Sequence, residues 1–269
     1  MSFRIPEIRY LYSVREWAGL IVRTTRRTGL ALRLALGTIP VAKAHELDGL
    51  PLDEPLKQTL LRLGRREIAP PFWDAPYKYG GAQYRERIAE VATYCAERWP
   101  GDFLEIGCFC GETTRCLSEV AGRFNRRVIA VDPWTTGTQN CSGREYEQFL
   151  KNIDPYRDRV DIVRRSSLDA ETLRIVQQRA LAFALVDGLH TYAAALSDIR
   201  MVEHCTGFIA VDDVSYGFEV LLAMRQGAAE SKRAAVRIAN CREGYLCPKG
   251  MQAEATLPRG VERKTAKAA

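Results

Sequence analysis

The chain lacks several features that would settle its class at once. No apolar run approaches the roughly 20 residues needed to span a bilayer, and no secretory signal opens the sequence. No Cys-x-x-Cys pair occurs among the eight cysteines, and Cys108-Phe-Cys110 is too tight for a two-thiolate zinc knuckle. Irregular spacing in a 269-residue chain argues equally against a disulfide framework. These absences point to reduced thiols in a cytoplasmic protein. There is no internal repeat, and no nucleic-acid-binding signature accompanies the positive charge. Histidine is scarce too, with three in all, so a histidine-based centre can arise in few places.

What is present suits one α/β domain with an extension: 46% hydrophobic and 27% charged residues provide for a sizeable core. The net charge of +6 is unevenly placed. Residues 1–44 hold eight basic side chains against Glu7 and Glu16, so the remainder is neutral in sum. Within this arm, residues 14–36 read as a basic amphipathic helix weakened by Gly19 and Gly29. It could meet nucleic acid, an anionic membrane surface or an acidic partner. A solvated face, or packing on its own domain or a second copy in a homo-oligomer, is the plainer reading. A second helix is expected over Glu54–Glu67, stopped by Pro70-Pro71. The aromatic stretch Pro70–Gly81 is then a lid over a cleft or an ordinary linker.

From Ala82 onward the pattern is regular. A helix over Ala82–Trp99 leads to a strand at Phe103–Ile106. Apolar runs follow at Arg127–Val131, Val160–Val163, Ala182–Val186 and Phe208–Val211, with helical segments between them. Strands alternating with helices predict a Rossmann-like, doubly wound, mostly parallel sheet. Ala234–Ile238 and Gly244–Cys247 are close enough to add an antiparallel hairpin at one edge. This divides the chain into a helical extension (1–81), an α/β domain (82–250) and a polar, frayed tail (251–269).

Phe103-Leu-Glu105-Ile-Gly107-Cys-Phe-Cys-Gly111-Glu-Thr113 runs from a strand through a glycine turn into a helix. Gly107 permits the sharp turn, and Gly111 lets a ligand or strand approach the helix start. The spacing departs from the dinucleotide pattern G-x-G-x-x-G. Glu105 would also be a poor neighbour for a pyrophosphate, which prefers bare amides, but would suit a cationic sulfonium. Asp132, 27 residues further on, ends the next strand and can reach ribose hydroxyls, or else cap a turn. Ser166 and Ser167 can line an adenine pocket or cap the following helix.

The chemistry would lie on the next two strands. One ends Val186-Asp187-Gly188-Leu189-His190-Thr-Tyr192, and the other ends Val211-Asp212-Asp213-Val-Ser215. Both ends should share the carboxyl-edge crevice, so three carboxylates converge and invite a cation. Oxygen ligands suit a hard ion such as Mg²⁺. The competing view makes Asp212 and Asp213 a capping pair and leaves Asp187 to the cofactor. His190 is the candidate general base by its ordinary pKa, unless it serves to shape its loop by bonding the backbone. His204 belongs to a surface helix, and His45 has no constellation around it.

Together, Glu105-Ile-Gly107-x-x-x-Gly111-x-Thr113, Val131-Asp132-Pro133-Trp134, Asp187-Gly188-x-His190-x-Tyr192 and Asp212-Asp213 resemble the class I S-adenosylmethionine methyltransferases. Within these they are similar to the cephalosporin-hydroxylase-like and macrocin-type sugar O-methyltransferase group, over roughly residues 82–250. The resemblance implies S-adenosylmethionine bound by Glu105, Gly107, Gly111, Thr113, Asp132, Trp134, Ser167 and Asp187. It implies Mg²⁺ on Asp187, Asp212 and Asp213, and methyl transfer to an oxygen of a small glycosidic or hydroxylated metabolite. Asp187 and His190 are then the catalytic residues. Two departures stand out: some relatives have a second acid, serving as general base, where this chain has Leu189, and others a histidine where it has Ser215. A cofactor-binding scaffold without catalysis is therefore the alternative, and a dinucleotide dehydrogenase is disfavoured by Glu105 and the glycine spacing.

Overall fold

A computed structural model describes residues 14–39, 41, 44–46, 54–64, 81–135, 143–215, 217–238 and 241–251. The chain divides into two units, 1–40 and 41–269. The first contains helix α1 (Val14–Ala35), close to the expected span, with Arg26, Arg27, Arg33, Leu32 and Leu36 exposed.

The second unit is built in the order β1 (Ala44–Glu46), α2 (Glu54–Gly64), α3 (Gly81–Arg98), β2 (Asp102–Ile106), α4 (Glu112–Arg123) and β3 (Val128–Val131). It continues with α5 (Glu145–Ile153), β4 (Val160–Val163), α6 (Ala170–Gln177), β5 (Leu181–Val186) and α7 (Tyr192–Met201). Then come β6 (Ile209–Val211), α8 (Phe218–Ser231), β7 (Ala235–Arg237) and β8 (Gly244–Leu246). The Pro70–Gly81 segment lies, up to residue 80, outside the described residues. So do most of the 135–144 insert and the tail beyond Met251.

The strands form one sheet in the order β1-β7-β8-β6-β5-β2-β3-β4. Only β8 runs antiparallel, paired with β6 on one side and β7 on the other. The expected hairpin is thus present, with β8 its inner strand. Beyond it lies a strand the sequence did not announce: β1 pairs in parallel with β7 through Ala44–Ala235 and Glu46–Arg237. Three residues from the extension carry no strand periodicity that could be read.

Alternation along the strands explains the two layers. Phe103, Val128, Ala130, Phe183 and Leu185 face a core shared with α2, α3, α4 and α5. Leu104, Ile106, Ile129, Val131, Ala184 and Val186 face the other core, with α7 and α8. Helix α4 buries Thr114, Leu117, Ser118 and Ala121, a stripe of helical period, and α5 buries Glu145, Phe149 and Ile153 at every fourth residue. Full burial of a side chain such as Phe149 contributes about 1.5–3 kcal/mol.

Register positions the site. Ile106 pairs with both Val131 and Val186, and Val186 pairs with Val211. The next residues on β2, β3, β5 and β6 are Gly107, Asp132, Asp187 and Asp212, so all four stand level at one carboxyl edge. The chain reverses its direction of travel between β2 and β5, the place where open α/β sheets bind ligands. No helix among the described residues is long and apolar enough to cross a membrane.

Candidate active site

The glycine turn is held from below. Gly107 has φ +87°, and a Cβ there would lie 1.9 Å from the Asp187 carbonyl oxygen, so only glycine lets β2 and β5 leave the sheet side by side. Gly111 also has a positive φ, but the close neighbour is Phe149 of α5, 2.7 Å from where a Cβ would be. Helix packing at the start of α4 thus requires a glycine there.

Glu105 points into the α3–α4–α5 layer with 1% exposure and accepts a hydrogen bond from Thr114 Oγ1. Burial pushes its carboxyl up to about 8, against the lowering effect of Thr114 and with a further rise from Asp132. The residue placed beside a sulfonium by sequence is thus internal, a clamp between β2 and the first turn of α4. The half-exposed neighbour Thr113 lies on that same turn.

Asp132 ties the turn to β3. Its Oδ2 accepts from the Phe109 amide at 2.9 Å and its Oδ1 from the Trp134 amide at 2.7 Å. Burial raises its pKa, and those amide bonds oppose the rise. Trp134 is buried, donates Nε1–H to the Phe109 carbonyl at 2.8 Å and packs on Tyr146 and Phe149. It shapes the turn from behind. Ser167 is half-buried after β4, and the neighbouring Ser166 Oγ accepts from the Leu168 amide. A cavity of about 200 Å³ opens beside the turn, lined by Cys110, Arg144, Glu145, Glu147, Gln148 and Lys151.

The second half of the edge holds facing charges. His190 stands between two acids, its Nε2 3.2 Å from Asp187 Oδ1 and its Nδ1 3.4 Å from Asp213 Oδ2. Asp212, fully buried, receives Arg242 through Nε at 2.8 Å and through Nη2. The same Nη2 lies 3.1 Å from Asp213 Oδ1. Strand alternation, carried one residue past β5 and β6, directs Asp187 and Asp212 toward α3. There Tyr84 is buried, and its hydroxyl is pushed well above its usual range by burial and by those two carboxylates.

The pKa shifts follow from this crowding. Burial and Asp212 raise Asp187, with His190 opposing. Burial raises Asp212 as well, with Arg242 opposing. Desolvation alone would lower His190, but the bond to Asp187 and the charge of Asp213 outweigh it and bring it up to about 8. The expected convergence of three carboxylates is present. The cation found among them is a side chain, Arg242, which no motif singled out because it comes from the short link between β7 and β8. Leu189 is 40% exposed and offers no acid, while Ser215 donates its hydroxyl to the Cys241 carbonyl. His204 is exposed and bonds the Arg179 carbonyl.

Donor atoms of Asp187, His190 and Asp212 lie within 4.8 Å of one another, close enough to share one ion. Two carboxylates and an imidazole fit a divalent metal, with Asp213 adjoining through His190.

A glycine turn, an acid after β3 and charged groups after β5 and β6 thus share one carboxyl edge of a Rossmann-like, mostly parallel sheet with one antiparallel inner strand. Residues 104–214 match the family model of a methyltransferase domain. The match spans 111 of the chain's 269 residues. Comparison with curated proteins gave no match. Among solved structures it is similar to CalS11, described as a TDP-rhamnose 3'-O-methyltransferase in calicheamicin biosynthesis: 17% identity, 76% of this chain and 99% of that one, TM-score 0.48. It is also similar to an O-methyltransferase from Bacillus cereus in complex with SAH: 16% identity, 73% of this chain and 90% of that one, TM-score 0.44. A third is the O-methyltransferase TomG from Streptomyces achromogenes, with SAM: 14% identity, 81% and 95% coverage, TM-score 0.45.

Proposed function

We propose that the chain methylates a hydroxyl oxygen of a small glycosidic or hydroxylated metabolite, with His190 as general base and Mg²⁺ assistance. The observation that carries this reading is His190, held between Asp187 and Asp213 at the carboxyl edge that also bears the glycine turn. A neutral imidazole has one N–H and one lone pair. With the N–H at the shorter contact, Nε2 to Asp187, the Nδ1 lone pair takes the acceptor's proton, and the new N–H faces Asp213. The acceptor oxygen then bonds to the methyl carbon, and the carbon–sulfur electron pair returns to sulfur as S-adenosylhomocysteine leaves.

Asp187 and Asp213 orient the ring and favour its protonated form once the proton arrives. We assign Asp187 and Asp212 to a divalent ion, with Asp213 adjoining through His190; bound there, it would acidify and orient the hydroxyl. For the cofactor, we assign contact to the half-buried Asp132, Ser167, Thr113 and Asp187 around Gly107. Glu105, Gly111 and Trp134, all buried, are assigned to shaping that turn. We assign the chain to the reducing cytoplasm, where buried thiols such as Cys95, Cys205 and Cys247 stay reduced.

Transfer of a labelled methyl group from S-adenosylmethionine to a panel of sugars, phenols and amines tests the reading. Label appearing only on nitrogen acceptors, or turnover by His190→Ala at the wild-type rate, would count against it.

A further inference from the structure

The second half of the edge contains a cation that the methyl-transfer reading does not use. Arg242 reaches across from the β7–β8 link and grips Asp212 by two of its nitrogens, one of them also contacting Asp213. Asp212 has no exposure, so water cannot screen it, and Asp187 and Asp213 stand beside it. Without a partner, a buried carboxylate in such company is strongly disfavoured. On its other side the guanidinium lies 4.8 Å from the centre of the Tyr84 ring, an aromatic face suited to a planar cation. Three elements, α3, the β6 end and the β7–β8 link, therefore converge to seat an arginine.

Asp212 is also one of the three residues whose donor atoms could share a metal ion. A metal bound through Asp212 must use a carboxylate that Arg242 already engages at both oxygens, and two cations at such range repel. We infer that Arg242 is the resident counter-cation of the carboxylate centre and competes with a divalent ion for Asp212. The inference rests on the metal assignment made above. It adds that the affinity for metal is set by an arginine outside the ligand set, and that metal binding requires the guanidinium to yield Asp212. Arg242 acts on the reaction through Asp212 and is a positioning residue.

The test uses the full chain stripped with EDTA and titrated with Mn²⁺, free ion being read by electron paramagnetic resonance. Arg242→Met keeps the apolar stem and removes the charge, and is expected to bind Mn²⁺ about tenfold or more tightly than wild type. Arg242→Lys keeps the charge but loses the two-pronged grip, and should fall between them. It also carries the test if the methionine variant is insoluble. A merely structural arginine would lower the melting temperature of both variants and leave Mn²⁺ affinity unchanged or weaker, which would overturn the inference. So would the absence of Mn²⁺ binding in every form. Wild-type turnover with and without EDTA reports on metal assistance separately. Tighter binding by the variants beside EDTA-insensitive turnover would sink the metal's assistance to the reaction and leave the competition for Asp212 standing.

Discussion

The two halves of the carboxyl edge handle polar groups in opposite ways. Around β2 and β3, the acids are engaged by the neighbouring chain: Glu105 by Thr114, and Asp132 by the amides of Phe109 and Trp134. Around β5 and β6, side chains of opposite charge face one another, with His190 between two acids and Arg242 on a third. The first half fixes a backbone shape, as a binding turn requires. The second keeps ionisable groups close enough to alter each other's protonation, as proton transfer requires.

The largest expected effect joins the halves. Gly107→Ala would drive a Cβ into the Asp187 carbonyl, with φ at +87°, and should cost more than about 3 kcal/mol or prevent soluble folding. Denaturant unfolding reads this directly, and a near-wild-type midpoint would show that the strands separate easily there. Next, His190→Ala should lower kcat by about 10²–10⁴-fold with S-adenosylhomocysteine affinity unchanged by calorimetry. Loss of affinity instead would mean that the halves are not separable.

Smaller changes sharpen the contrast. Thr114→Val removes the hydroxyl donor to a buried carboxyl and should destabilise by about 1–3 kcal/mol, without moving the pH profile of turnover. That profile should rise with pH through about 8, where His190 releases its proton. Asp213→Asn removes one of the charges raising it and should bring the inflection down. An unmoved inflection would assign the profile to another group.

The last effect is on the pH dependence of stability. Glu105 keeps its proton in the fold up to about pH 8, whereas unfolded it loses it near about 4.3. Stability should therefore decline as pH rises through that window, and Glu105→Gln should flatten the decline. A decline of equal slope in the variant would show that Glu105 is not its source.

Much of this was legible in advance because periodicity is local. Strand ends at Ile106, Val131, Val186 and Val211 follow from apolar runs bounded by glycine or aspartate, and right-handed βαβ logic brings those ends to one edge. The glycine turn, Asp132, Asp187, His190 and the Asp212-Asp213 pair all sit one to five residues beyond such ends. By itself, then, the sequence determined the class of fold and which acids would gather.

Tertiary structure alone decided what each of them does. Glu105 faces the interior because strand alternation turns it toward α4, and Gly111 is required by Phe149, 38 residues further along the chain. β1 joins the sheet without any pattern of its own. Arg242 lies 30 residues from Asp212, in a link with no motif, and reaches it only because β8 inserts beside β6. Electrostatic partners are chosen by distance in space, which residue spacing along a chain does not encode.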